Sequence, residues 1–175
     1  PDDRQPISYG LNSKLTKDDS GKIVERTWRL GGMYSAAIQH IIHWLTLAAE
    51  VADQPQKNII DALINYYRTG DLREFDRYNV LWGGDNTSNV DFVNGFIEDY
   101  GDPLGRKASW EGTVNFMDST ACRRTQIISQ NAQWFEDNSP IDPAFRKKEV
   151  KGVSAKVITV AMLGGDCYPA TPIGI

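Results

Sequence analysis

The stretch Asp91-Phe-Val-Asn-Gly-Phe-Ile-Glu-Asp-Tyr100 is followed by Gly101-Asp-Pro-Leu-Gly105 and, after three residues, by Ser109-Trp-Glu-Gly-Thr-Val-Asn-Phe116. The outer runs are typical of strands, in which successive side chains point to opposite faces of a sheet. Gly, Asp and Pro between them supply the backbone angles that a tight turn requires. The stretch therefore predicts two strands that pair antiparallel.

The alternation of faces brings ionisable groups together on this hairpin. Glu98 and Tyr100 share one strand face, and at about 3.3 Å of rise per residue they lie roughly 6.6 Å apart. With Glu111 on the facing strand, such a carboxylate and phenol are able to hold an ammonium group and to donate a hydrogen bond to a developing oxyanion. A solvated face with scattered acids has the same spacing, so the residues alone leave both interpretations open.

The hairpin resembles a segment of the dipeptidyl peptidase III family of zinc exopeptidases, most closely its bacterial branch. The blocks that carry the resemblance follow the family's order and cover essentially the whole chain: Ile7-Ser-Tyr-Gly-Leu-Asn-Ser-Lys14, Gly31-Gly-Met-Tyr34, Ala37 to Trp44, Glu98-Asp-Tyr-Gly-Asp-Pro-Leu-Gly105 with Trp110-Glu-Gly112, and Tyr168-Pro-Ala-Thr-Pro-Ile-Gly-Ile175. The family's zinc motif, H-E-x-x-G-H, does not occur among these 175 residues.

In the family the zinc motif lies further along than Ile175. The resemblance therefore implies that residues 1–175 are a fragment of a larger two-lobed peptidase, mostly its substrate-binding lobe. It also places a helix and linker, residues 119–148, in the zinc-bearing lobe. Zinc is expected in the parent enzyme and none is expected to bind this fragment, which has no metal-ligand motif of its own.

The resemblance also implies roles for individual residues. Tyr100 would stabilise the oxyanion of the reaction, Glu98 would bind the free amino terminus of the peptide, and Glu111 would support it in the same subsite. The tail Ile173, Gly174 and Ile175 would align the substrate by strand addition, in which backbone groups bind a peptide of almost any sequence.

These roles predict the substrate-binding part of a zinc-dependent enzyme that removes dipeptides from the amino terminus of oligopeptides. The fragment alone is expected to be inactive, since neither the metal nor the general base is present. Two alternatives stay open: a non-catalytic relative that binds peptides, and a structural or interaction domain whose acids are solvated. The first is distinguished by the sequence downstream, and the second by whether the three site residues face one concave surface.

Composition excludes several other classes of protein. A net charge of -4 and an acidic pI near 5.2 argue against nucleic acid as a partner, which needs clustered Lys and Arg. No apolar run approaches the ~20 residues of a membrane helix and no signal peptide is evident, so we expect no membrane and a cytoplasmic location. Two cysteines without C-x-x-C spacing predict free thiols. His40 and His43 lack a third ligand, so we expect no metal there.

The remaining pattern predicts the other elements in chain order: short strands from Tyr9 to Leu15 and Ile23 to Leu30, helices from about Tyr34 to Ala52, from Pro55 to Gly70 and from Leu72 to about Trp82, a helix from Asp118 or Ser119 to about Glu136, and a strand from Val150 to Leu163. The order favours an α+β fold with a small antiparallel, partly barrel-like sheet and flanking helices. The first helix is apolar almost all round, so we expect it to leave an exposed flank or to form a dimer that covers it.

Overall fold

The computed structural model describes residues 10–153 and 155–169. Its elements follow one another as β1 (Ser13–Lys17), β2 (Ile23–Thr27), α1 (Ser35–Val51), α2 (Gln54–Thr69), α3 (Leu72–Gly84), β3 (Val90–Glu98), β4 (Ser109–Met117), α4 (Ser119–Gln130), α5 (Ala132–Asp137), a single 3-10 turn (Pro143–Phe145) and β5 (Ile158–Gly165). Helices and antiparallel strands occur in separate blocks and do not alternate as βα units, which confirms the predicted α+β class.

The strands form two separate sheets. In the first, β1 and β2 pair antiparallel with Ser13 opposite Thr27. In the second, the order is β3-β4-β5. A bond of 2.8 Å from the amide of Met117 to the carbonyl of Asn89 closes the far end of the β3–β4 hairpin, as an antiparallel pair requires. Neither of these sheets closes into a barrel, so the partly barrel-like sheet expected from the sequence is replaced by two small open ones.

Local sequence signals define α2 and α3. The Asp53 carboxylate accepts a hydrogen bond of 3.0 Å from the amide of Gln56, and Asp71 accepts one of 2.9 Å from Arg73. Gly70 ends α2 with φ 73°, and a Cβ there would lie 2.4 Å from the Thr27 side chain. Only glycine meets both conditions, so the predicted boundary at Gly70 is confirmed.

The hydrophobic core is centred on α2, which buries seven side chains: Ile59, Ile60, Ala62, Leu63, Ile64, Tyr66 and Tyr67. The Tyr66 ring packs on Phe75 of α3 with centroids 4.7 Å apart. In contrast, α1 buries only Ile38 and Ala49 and leaves Trp44 and Val51 exposed. The exposed apolar flank predicted for the first helix is therefore present.

Two sequence predictions after β4 were wrong in detail. The single helix expected to run to about Glu136 is interrupted at Asn131, whose side-chain amide donates to the carbonyl of Ile127 at 2.8 Å. Asparagine competes for backbone hydrogen bonds in this way and favours helix ends.

The strand expected from Val150 begins only at Ile158. The preceding residues pair with α4 and its cap instead of with a strand. The carbonyl of Val157 accepts from the amide of Asp118 at 2.8 Å, and the amide of Val157 donates to Cys122 Sγ at 3.1 Å. Gly152 lies so close to Ser129 that a Cβ would meet its carbonyl oxygen at 2.0 Å. Strong β propensity is thus overridden by these tertiary contacts.

The packing divides the chain into two units. Unit 1 contains the described residues up to Ser88, then Val93–Thr113 and those from Leu163 onward, and unit 2 contains Asn89–Phe92 and Val114–Met162. Residues 119–148 fall within unit 2; their assignment to a zinc-bearing lobe stays a prediction. Within the described ranges, no helix has both the length and the apolar character that a membrane crossing demands.

Candidate functional site

The structure places the predicted site residues of the hairpin in unit 1. Glu98 is the last residue of β3 and is half-buried, whereas Glu111 lies inside β4 with only 1% of its surface exposed. Tyr100 lies beyond the end of β3, in the loop, and is 73% exposed. The predicted geometry for Tyr100 was therefore wrong in one respect, because the strand spacing that relates it to Glu98 does not extend past residue 98.

The reason lies in the turn that follows. The amide of Asp102 donates to the carbonyl of Asp99 at 2.9 Å, which folds the chain back immediately after β3. The Asp102 carboxylate then accepts from the amides of Arg106 and Lys107 at 2.8 and 3.1 Å. An Asp that binds its own loop in this way is a common turn device. These bonds hold the loop that carries Tyr100.

Glu111 is the buried carboxylate of the site. Its Oε2 accepts a hydrogen bond from Cys167 Sγ at 3.1 Å, and its Oε1 is buried with no hydrogen-bond partner. Burial raises the pKa of Glu111, the thiol bond lowers it, and the negative charges of Glu98 and Asp166 raise it again. An acceptor oxygen that is buried and unpaired is costly, and within the described residues this atom has no donor.

The thiol of Cys167 is fully buried. Burial, together with the bond to Glu111, raises the pKa of Cys167 to about 12, so the thiol stays protonated at physiological pH and acts as a donor. The backbone beside it is held on β4 by a 3.0 Å bond from the amide of Asp166 to the carbonyl of Trp110. Gly165 makes this approach possible, because a Cβ there would lie 2.1 Å from the same carbonyl oxygen.

Asp166 reaches the phenol of Tyr100. The hydrogen bond between them is the largest cause that raises the pKa of Tyr100, and the negative charges of Asp166, Glu98 and Glu111 act in the same direction. The phenol therefore remains a protonated hydrogen-bond donor across the physiological range. Glu98, Tyr100 and Glu111, which the sequence predicted as one site, thus lie close enough for their charges to interact.

A buried polar network supports the hairpin from α2. The hydroxyl of Tyr67 donates to Asn94 Oδ1 on β3 and accepts from Trp110 Nε1 on β4 at 2.9 Å. Burial raises the pKa of Tyr67, so this hydroxyl also stays protonated. Because the network joins both strands to the most buried helix, it limits the freedom of the strands that carry Glu98 and Glu111.

Sequence reasoning missed Asp166 and Cys167. The prediction of free thiols is confirmed for both cysteines. It did not include the contact of Cys167 with Glu111, which lies 56 residues away in the chain. The only local signal was Gly164-Gly165, predicted as a turn. The predicted substrate-aligning residues Ile173, Gly174 and Ile175 lie outside the described residues, so their role stays a prediction.

A metal site is not formed by the part of the chain that the structure describes, since no three His, Cys, Asp or Glu side chains there are grouped to hold an ion. His40 and His43 are both exposed on α1. The described residues therefore offer no ligand set that would hold zinc.

Comparison with known proteins identifies the class. Dipeptidyl peptidase 3 of Dictyostelium discoideum is 26% identical over 137 residues, which are 76% of this chain and 20% of that protein. Dipeptidyl peptidase 3 of Rattus norvegicus is 24% identical over 140 residues, 79% of this chain and 19% of that protein. The chain thus spans about a fifth of the length of these curated relatives.

The sequence profile of peptidase family M49 matches residues 11–171, and the chain belongs to that family. The resemblance to dipeptidyl peptidase III is thereby confirmed. Among solved structures, dipeptidyl-peptidase III from Corallococcus sp. strain EGB aligns with a TM-score of 0.67 at 23% identity. The aligned region covers 95% of this chain and 30% of that chain. DPP III from Caldithrix abyssi aligns with a TM-score of 0.72 at 20% identity and covers 95% and 31%. These two show a shared fold.

Proposed function

We propose that this chain is the substrate-binding part of a zinc-dependent dipeptidyl peptidase III that removes dipeptides from the amino terminus of oligopeptides. The observation that carries the proposal is the unpaired Oε1 of Glu111, buried beside two further acids in a chain of family M49. An oligopeptide is the partner. Its free amino group would be bound by Glu98, with Glu111 as a second acid in the same subsite.

The ammonium group of a peptide has the chemistry that this atom lacks. An α-amino group has a pKa of about 7.7 to 8.0, so it is largely protonated at neutral pH and brings three N–H donors. The acids Glu98, Glu111 and Asp166 interact electrostatically with one another or with Tyr100, and all of them are negative when ionised. The bound ammonium group would donate a charge-assisted hydrogen bond to the buried carboxylate, so that each charged group gains a partner.

Binding the amino terminus also explains why such an enzyme would release dipeptides. When the first residue is held by its ammonium group, the peptide bond that reaches the reacting position is set by distance along the chain. Blocking the amine leaves the buried carboxylate unpaired, which is the strongest form of discrimination that a polar site offers.

Tyr100 would supply the second function of the site. Its hydroxyl remains protonated because neighbouring acids raise its pKa, so it is able to donate to the oxyanion that forms when a peptide carbonyl is attacked. Its high exposure leaves the hydroxyl accessible to a peptide. Zinc would supply the activated water from residues outside this chain.

Peptide binding tests the proposal directly. The 175-residue chain is titrated with tetra-alanine and with N-acetylated tetra-alanine by isothermal calorimetry. We expect only the free amine to bind measurably, and we expect Glu111→Gln to weaken that binding by about tenfold or more, since hydrogen bonds to charged groups contribute about 1.5 to 3 kcal/mol. Glu50→Gln, an exposed acid of α1, is the matched control and is expected to bind like the unaltered chain. Equal binding of both peptides would refute the proposal.

The chain alone is expected to release no dipeptide. Incubation with an arginyl-arginyl naphthylamide reporter and added zinc measures this, with a complete dipeptidyl peptidase III as the positive control. Zinc-dependent release by these 175 residues would contradict the assignment of the metal to residues outside the chain.

A further inference from the structure

Cys167 and Glu111 form a buried pair. The two residues are 0% and 1% exposed, and the distance from Sγ to Oε2 is 3.1 Å. A buried carboxylate ordinarily accepts hydrogen bonds from a cationic side chain or from backbone amides. Here the partner is a neutral thiol, and only one of the two carboxylate oxygens is used. A lone buried cysteine has many uses, but the unpaired Oε1 beside this one points to a ligand.

The direction of the hydrogen bond follows from the charges around it. The groups that act on Glu111 are Glu98 of β3, Asp166 and Cys167. The thiol itself is surrounded by the acids Glu111 and Asp166, which oppose its ionisation. The thiol is therefore the donor and the carboxylate the acceptor.

We propose that Cys167 is a positioning residue of the ammonium subsite: its thiol holds Oε2 of Glu111, so that Oε1 is left to accept from the substrate's amino group. This inference rests on the proposed function, since it names the residue that prepares Glu111 for that role. Cys167 itself does not touch the substrate.

A neutral donor suits this task better than a charged one. Lys or Arg beside Glu111 would fix the carboxylate equally well but would neutralise it, and the substrate's ammonium group would then compete with a resident cation. A thiol orients the carboxylate through a weak, single bond and leaves its negative charge in place. The turn at Gly165 brings this thiol to β4, because no residue with a Cβ fits against the Trp110 carbonyl there.

Three variants of the 175-residue chain test the role. Cys167→Ala removes the donor, Cys167→Ser keeps a donor at nearly the same place, and Cys122→Ala removes the other free thiol, which lies in unit 2. Each is titrated with tetra-alanine at several pH values. The titration of the Glu111 carboxyl carbon is followed in parallel by NMR on ¹³C-labelled protein.

We expect Cys167→Ala to lose about fivefold to tenfold in affinity for tetra-alanine, the scale of one ordinary hydrogen bond, because a thiol is a weak donor. Removing a bond that lowers the pKa of Glu111 moves its titration to higher pH, so binding is lost at a higher pH as the solution is acidified. Cys167→Ser is expected to restore both properties to within about threefold, and Cys122→Ala is expected to change neither.

The outcomes separate this inference from the function on which it rests. If the unaltered chain binds acetylated and free peptide alike, the ammonium subsite is refuted and the role of Cys167 falls with it. If the unaltered chain prefers the free amine but Cys167→Ala leaves the affinity and the Glu111 titration unchanged, only the role of Cys167 is overturned. A loss of affinity without any shift of the Glu111 titration would also overturn it, because a purely structural defect predicts that result.

Discussion

The neighbouring helices α1 and α2 differ in how many side chains they bury, and the difference is the reverse of what their composition predicts. The 17 residues of α1 include a single charged side chain, Glu50, yet this helix buries only two residues. The 16 residues of α2 include Lys57, Asp61 and Arg68, yet this helix buries seven. Apolar content alone therefore does not determine which helix enters a core. What determines it is whether the apolar side chains lie on a face that other elements cover.

Their ends differ as well. The carboxylate of Asp53 caps α2, and Gly70 closes it in the left-handed conformation. At the start of α1 the cap position is Tyr34, whose side chain makes no capping bond. Beside α1 is an apolar cavity of about 520 Å³, lined by Trp28, Ile38, Phe96 and Trp110 among others. The helix with both ends capped is thus also the one that buries more of its side chains.

The largest difference is expected from the same substitution made in both helices. Leu63→Ala in α2 removes a fully buried side chain and should lower the free energy of unfolding by about 2 to 5 kcal/mol. Leu47→Ala in α1 removes a side chain that is already exposed and should cost less than about 1 kcal/mol. Urea denaturation followed by circular dichroism measures both, and equal losses would contradict the comparison.

The next effect tests how α2 supports the site. Tyr67→Phe deletes the hydroxyl that joins Asn94 and Trp110, and the two partners left without it should cost about 1 to 3 kcal/mol in the same denaturation experiment. Tyr34→Phe, at an exposed ring beside α1, is the matched control and should change stability little. If Tyr67→Phe is as harmless as its control, the network does not hold the hairpin.

A smaller loss is expected at the cap of α2. Asp53→Ala removes the bond to the amide of Gln56 and should cost about 1 kcal/mol. Asp61→Ala removes an exposed acid in the middle of the same helix and should be nearly neutral. Thermal melts of the two variants compare them directly, and a greater loss for Asp61→Ala would mean that charge, not capping, is measured.

A pH-dependent effect is expected at Glu111. Its pKa is raised in the folded state, mainly by burial, so folding favours the protonated form and stability declines as pH rises through the folded-state pKa. Glu111→Gln removes this decline, so the variant should gain stability relative to the unaltered chain as the pH rises above about 4.3, the ordinary pKa of a Glu carboxyl, while it loses peptide binding. Melting temperatures measured across that range give the slope; an opposite slope would contradict the raised pKa.

The smallest effect is expected on the exposed flank of α1. Trp44 is 66% exposed, so Trp44→Gln should alter the free energy of unfolding by no more than about 0.5 kcal/mol. Denaturation at two protein concentrations measures it. A loss that grows with concentration would show that Trp44 is buried in a dimer, the alternative that the sequence left open for this flank.

The site shows where sequence reasoning reached its limit. Glu98, Tyr100 and Glu111 were predicted as site residues from strand alternation and from family resemblance, because those signals are local in the chain. The end of β3 before Tyr100 was not found, since it depends on hydrogen bonds of Asp102 to a loop that alternation does not describe. Asp166 and Cys167 were not found, since nothing in their neighbourhood reports a contact with residues of a distant hairpin.

The sequence by itself determined the features that depend on neighbouring residues and those that follow from membership of the family. Asp53, Gly70 and Asp71 mark the ends of α2 and α3 through capping bonds that span only a few residues. The blocks that carry the family resemblance run from Ile7 to Ile175. Only the tertiary structure decided which helix is buried and which partner Glu111 receives. The physical reason is that burial and hydrogen bonding between distant segments depend on which surfaces meet, and a strand or helix carries the same side chains whether or not another element covers them.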